Sequence, residues 1–123
     1  MIKIFNLDGK IFKALSNSDN GEVGDDTLFY YHQTDNIISA DYHDGDILKG
    51  HLIGKQLESG EFDFVYHHVN TKNELKIGKC LSKAKKLDDG RLKLFEKWQW
   101  LCDDMSNGTS ELIEVVNVKY NKT

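Results

Sequence analysis

Hydrophobic and polar residues alternate through most of this chain, and the clearest run is 89–100. There Leu92, Leu94, Glu96, Trp98 and Trp100 fall on one face, and Arg91, Lys93, Lys97 and Gln99 on the other, interrupted by Phe95. Period two with one polar face predicts a half-buried antiparallel strand. A carboxylate among leucines and tryptophans on the apolar face points to a lined cavity.

The same pattern recurs between turn dipeptides at Asp8-Gly9, Asn20-Gly21, Asp44-Gly45, Ser59-Gly60, Asp89-Gly90 and Asn107-Gly108, with Lys72-Asn73 as a weaker signal. Strands are expected over Lys10–Ser16, Thr27–Gln33, Ile37–His43, Ile47–Gln56, Glu61–Asn70, Leu75–Lys83, Arg91–Leu101 and Ser110–Val118. Ile2–Phe5 could add a short arm, and one turn of helix could hide in Ser18–Asp26. The chain reads as a single domain over 1–123, with an N-terminal arm within 1–9 and a C-terminal tail at 119–123.

Register can be read as well. Three-residue loops ending on a left-handed Gly60, Asn73 and Gly90 set Gly54 opposite Phe64, Leu52 opposite Tyr66, and Gly50 opposite His68. They also set Tyr66 opposite Gly78, Phe64 opposite Cys80, Trp100 opposite Gly78, Trp98 opposite Cys80, and Glu96 opposite Ser82. One set of residues then shares one face, with large residues meeting small ones. A slip of one residue in any hairpin would mix the faces. Eight sequential strands without covering helices predict an all-β, eight-stranded antiparallel up-and-down barrel, because closure removes edge strands. A two-layer sandwich is the competing architecture.

Composition narrows the function. Proline is absent from the 123 residues, as suits paired strands. The formal net charge is −4 with no basic stripe, which argues against nucleic acid as a partner. Met1 to Leu15 lacks the apolar run of a signal peptide, and no stretch approaches the ~20 apolar residues of a membrane helix. A cytoplasmic location, reduced thiols at Cys80 and Cys102, and no membrane partner are therefore expected.

The inward face gathers Tyr66, His68, Glu96, Trp98 and Trp100, with Tyr42 joining from the third strand. Aromatic walls with a few convergent polar groups are the usual make-up of a small-molecule site. Asn17, Ser18 and Asn20, in the longest polar loop, are expected at the mouth. A packed core with Glu96 bonded to a hydroxyl is the competing reading. His67 and His68 point to opposite faces, and His32, His43 and His51 have no motif spacing, so no metal site is expected. Asp41, Asp44 and Asp46 lack the glutamate of a calcium loop. Neither a phosphate-binding loop nor a nucleophile elbow occurs, so no catalytic residue and no cofactor are assigned. Glu96 with His68 is the one acid–base pair expected on the inner face.

Ser16-Asn17-Ser18-Asp19-Asn20-Gly21-Glu22-Val23, Leu52-Ile53-Gly54, and Asp89-Gly90-Arg91-Leu92 through Glu96, Trp98 and Trp100 carry a family likeness. Over about Phe12 to Glu114 the chain resembles small bacterial proteins commonly labelled N-acetylglutamate synthase. The resemblance implies an avidin-like, calycin-type barrel and raises homo-oligomer formation. It carries over no functional residue, and Lys72-Asn73 departs from the family's glycine turn. Acetyltransferases of the common type need a mixed α/β fold and a pyrophosphate loop, which this sequence lacks. Three functions follow in order: a barrel binding an unknown small molecule, a structural or assembly protein with a filled barrel, and the labelled synthase.

Overall fold

A computed structural model describes residues 5–116. Eight antiparallel strands follow one another: β1 (Ile11–Asn17), β2 (Leu28–Thr34), β3 (Ile37–Asp44), β4 (Ile47–Gln56), β5 (Phe62–Asn70), β6 (Leu75–Lys86), β7 (Leu92–Trp100) and β8 (Asn107–Glu114). Each pairs with the next, and β1 pairs with β8, so the sheet closes into a barrel rather than splitting into a sandwich.

The inner face alternates as the sequence requires. Trp98 pairs with Cys80, Glu96 with Ser82, Tyr66 with Gly78 and Leu52 with Tyr66, as expected from the hairpin loops. The left-handed residues sit where those loops need them: Gly60 (φ 94), Asn73 (φ 64) and Gly90 (φ 94). Large side chains lie directly over small ones. A Cβ on Gly78 would fall 2.2 Å from the Tyr66 ring, and one on Gly108 2.5 Å from the Trp98 indole. The lumen is thereby filled by alternating bulk.

Several expectations are corrected. Asn107-Gly108 is not a turn but the start of β8, because Gly108 pairs with Trp98 and gives its indole room. The chain reverses instead over 101–106, where Asp103 (φ 56) and Met105 (φ 59) take left-handed backbone. Residues 18–26 form no helical turn; they are an irregular loop held by side chains from distant strands. β6 runs on to Lys86 rather than Lys83, and β8 ends at Glu114. Asp35 (φ 54) supplies a turn between β2 and β3 that no glycine announces. Most of the arm Ile2–Phe5, the tail 119–123 and Val118 lie outside the described residues.

The two ends of the barrel differ. At one end, fully buried Leu7, Phe12, Phe62 and Leu94 pack shut. A chain of amides seals it: Leu7 N donates to Gln33 Oε1 (2.9 Å), Gln33 Nε2 to Gln56 Oε1 (3.2 Å), and Gln56 Nε2 to Gly60 O (3.1 Å). At the other end the 18–26 loop lies across the mouth.

Candidate functional site

Along β7 the inner face runs from Leu92 and Leu94 through Glu96 to Trp98 and Trp100. Along β5 it runs from Phe62 and Phe64 through Tyr66 to His68 and Asn70. On β5 polarity therefore rises toward the mouth, whereas β7 sets a single carboxylate between its leucines and its tryptophans. Between the two strands lies a cavity of about 50 Å³, walled by Phe29, Phe64, Tyr66, Trp98 and Trp100, with Glu96 and Ser110 at its floor. The aromatic wall is continuous, with Trp98 and Trp100 ring centroids 5.6 Å apart and Tyr66 and Trp100 5.9 Å apart, both edge-on.

The floor is built around a buried acid. Ser110 Oγ donates to Glu96 Oε1 at 3.0 Å. Burial raises the Glu96 carboxyl to about 7, although the Ser110 hydroxyl bonded to it favours its ionised form. Two hydroxyls in this part of the lumen, Ser82 Oγ and Tyr31 Oη, are buried without a hydrogen-bond partner among the described residues. Ser82 faces Glu96 in register but lies outside bonding geometry. Glu96 and His68 do not form the expected pair: each bonds elsewhere.

The mouth is organised by His68. Its Nε2 lies 2.8 Å from Glu22 Oε1, and its Nδ1 2.8 Å from Tyr42 Oη. Burial lowers its pKa more than Glu22 raises it, so the ring is neutral at pH 7. A neutral ring donating from Nε2 to Glu22 must accept at Nδ1, so Tyr42 O–H donates there. Asn70 Nδ2 donates to both Glu22 oxygens at 3.2 Å. Lys76 Nζ stands 3.9 Å from Glu22 Oε2. Glu22 ends the polar loop that follows β1 and is not among the residues the sequence places at the site.

The lid is tied down by the tryptophans. Trp98 Nε1 donates to Asn17 Oδ1 (3.1 Å), and Trp100 Nε1 to Asn20 O (3.0 Å). Asn17 Nδ2 then holds Val23 O at 2.9 Å.

The structure brings Tyr42, Tyr66, His68, Glu96, Trp98, Trp100 and Asn17 to one cavity. Ser18 and Asn20 do not line it. Ser18 Oγ bonds the Thr109 backbone, and Asn20 Nδ2 bonds Ser106 Oγ and Asn107 O, so both clip the lid to β8 and the turn before it. Sequence reasoning missed Glu22, Asn70, Tyr31 and Ser110. The last three could have been found by extending the period-two alternation. Glu22 could not, because its contacts cross more than 40 residues (46 to His68).

Cys80 and Cys102 are free thiols. Among the described residues, no three His, Cys, Asp or Glu side chains are grouped to hold a metal ion, and no helix is long and apolar enough to cross a membrane. Among known proteins, the family described as Avidin-like protein matches residues 5–115 of the chain. No curated protein matches it.

Proposed function

The chain belongs to the avidin-like protein family, and from that premise we propose that it is a small-molecule binding barrel with a lidded lumen. The observation that carries this reading is the cavity itself, an aromatic wall between a protonatable acid bonded to Ser110 below and a set of fixed donors above. Tyr66, Trp98 and Trp100 would pack against the ligand body. Glu96 and Ser110 would bond polar atoms of the ligand at the floor.

Volume sets a condition on this reading. A lumen of about 50 Å³ holds roughly three to five waters, at ~10–15 Å³ each. Ligand sites are usually ~300 Å³ or more. Binding therefore requires residues 21–23, which line the cavity from above, to withdraw. The same small volume favours a second reading, a filled barrel acting through its outer surface in assembly. The labelled N-acetylglutamate synthase activity has no support in this site, since a pyrophosphate loop at a helix start has no counterpart among the described residues. A cytoplasmic site of action without nucleic-acid or membrane partners belongs to the same proposal.

Tryptophan emission and thermal melting against a library of small metabolites test it. The binding reading expects a chemically related subset of compounds to shift emission and raise Tm, with Trp98→Phe weakening both responses. A broad library without effect on either observable leaves the filled barrel.

A further inference from the structure

The mouth of the barrel is built as a carboxylate receptor, and the chain fills it with its own glutamate. Two donors converge on Glu22, His68 Nε2 at 2.8 Å and Asn70 Nδ2 at 3.2 Å to each oxygen, with the Lys76 ammonium 3.9 Å away and itself bonded to Asp103. Both donors are oriented independently of Glu22. Asn70 Oδ1 accepts from Lys72 N (3.0 Å) and Glu74 N (2.9 Å) in the β5–β6 hairpin, which turns Nδ2 toward the mouth, where it is shared between Glu22 and Glu74 Oε1 (3.0 Å). Tyr42, stacked on Phe29 at 4.8 Å, places its hydroxyl 2.8 Å from His68 Nδ1 and so fixes the ring orientation that turns Nε2 to the mouth. The receptor is thus fixed by strands β3 and β5, whereas its occupant is not. Glu22 comes from the irregular loop, and its side chain is 24% exposed against 1% for His68. The aromatic cavity opens directly beneath this carboxylate, beside Gly21 and Val23.

We infer that the ligand of this barrel is a small carboxylic acid with an apolar body, whose carboxylate takes the place of Glu22 on His68 and Asn70. Exchange of one carboxylate for another conserves charge and every donor at the mouth. It also releases the lid segment from the top of the cavity and makes room for the ligand body between Trp98, Trp100 and Tyr66. Glu22 then acts as an intramolecular competitor. While it sits on the donors, the binding-competent fraction is small and apparent affinity falls by that fraction. This inference rests on the lidded-lumen reading above and gives its ligand a chemical class.

The test uses the full chain, hexanoate as the acid and hexanamide as its uncharged match, read by tryptophan emission and Tm. Glu22→Ala should bind hexanoate at least ~10-fold more tightly than the parent, as removal of a tethered competitor requires, with hexanamide gaining much less. Asn70→Asp keeps the oxygen that holds the hairpin but replaces the donor, and it should abolish the preference for hexanoate over hexanamide. Melting curves without ligand establish that each variant folds. Should Glu22→Ala not fold, Glu22→Gln, which keeps the shape and weakens the acceptor, serves in its place with the same expected direction. Equal gains for acid and amide, or no gain for the acid, would overturn the carboxylate assignment while leaving a binding lumen. If neither probe nor any library compound alters emission, the lidded lumen fails with it.

Discussion

The two halves of the lumen use polar groups in opposite ways. At the mouth, the indole N–H groups, His68, Tyr42, Asn70 and Glu22 all bond one another or the lid. A few residues deeper, Glu96 has one hydroxyl bonded to it, and Ser82 and Tyr31 have hydroxyls bonded to nothing among the described residues. Buried polar groups are normally satisfied, and each exception costs about 1–3 kcal/mol. The mouth therefore resembles a site already occupied, and the floor one that is waiting. That contrast is what a lidded binding barrel would present with its lid closed, whereas a barrel evolved only for stability would have little reason to keep unsatisfied hydroxyls beside a buried acid.

The largest effect that could break this comparison is the pH dependence of stability at the floor. The Glu96 carboxyl stands near 7 in the folded chain against 4.5 as an ordinary glutamate. A raised folded pKa means that the folded state keeps a proton the unfolded chain has released. The stability from Glu96 is then complete below pH 4.5, declines as pH rises through about 7, and is flat above. The decline amounts to about 3 kcal/mol at ~1.4 kcal/mol per pH unit. His68, whose pKa is lowered by burial, slopes the other way, losing stability as pH falls below its ordinary 6.5. Comparing the parent with Glu96→Gln isolates the acid. The Gln variant should match the parent near pH 4 and exceed it in urea melts at pH 8–9, where the parent buries an ionised group. A pH-independent difference between the two would mean that Glu96 is solvated and the floor is not closed.

A smaller effect sharpens the contrast directly, since one hydroxyl is removed from each half. Tyr42→Phe takes away the donor to His68 Nδ1 and leaves that nitrogen buried and unpaired, so it should destabilise by about 1–3 kcal/mol. Tyr31→Phe removes a hydroxyl that bonds nothing among the described residues and should be neutral, or stabilising by up to ~1 kcal/mol. Denaturant midpoints for the two variants give the comparison. Equal losses would show that Tyr31 has a partner, and the floor would then be a satisfied network like the mouth.

Which parts were legible in the sequence follows from how each is held. The strands, the barrel and the register of β4–β7 could be read because period-two alternation and three tight hairpin loops are local, and because glycine must lie opposite Tyr66 at position 78. The β7–β8 connection misled because Asn107-Gly108 has local turn chemistry, yet Gly108 serves the packing of Trp98 from the next strand. The lid was opaque for the same reason on a larger scale. Its conformation depends on Trp98 and Trp100, which bond Asn17 and Asn20 across 81 and 80 residues. No periodicity encodes such contacts. Glu96 was placed on the inner face correctly, but its partner Ser110 comes through the β7–β8 pairing, whose turn had been put in the wrong place.

The smallest effect is kinetic, and it asks whether the mouth opens while the floor stays folded. Cys80 is 4% exposed on the cavity wall, opposite Trp98, and burial raises its thiol pKa well above the ordinary value, with the Glu96 charge adding to the rise. Cys102 lies at the surface end of the barrel with its sulfur 3.5 Å from Ile77 N. Since the thiolate is the reactive form, a maleimide should label Cys102 quickly and Cys80 slowly. In a Cys102→Ser background the Cys80 rate then counts openings of the lumen. Asn17→Ala removes the side chain that links Trp98 to Val23 O in the lid. If the lid opens as a local unit, this change should speed Cys80 labelling by more than its effect on global stability accounts for. If labelling instead follows global unfolding in both backgrounds, the lid does not open independently, and the mouth and floor are one closed core rather than a gate over a site.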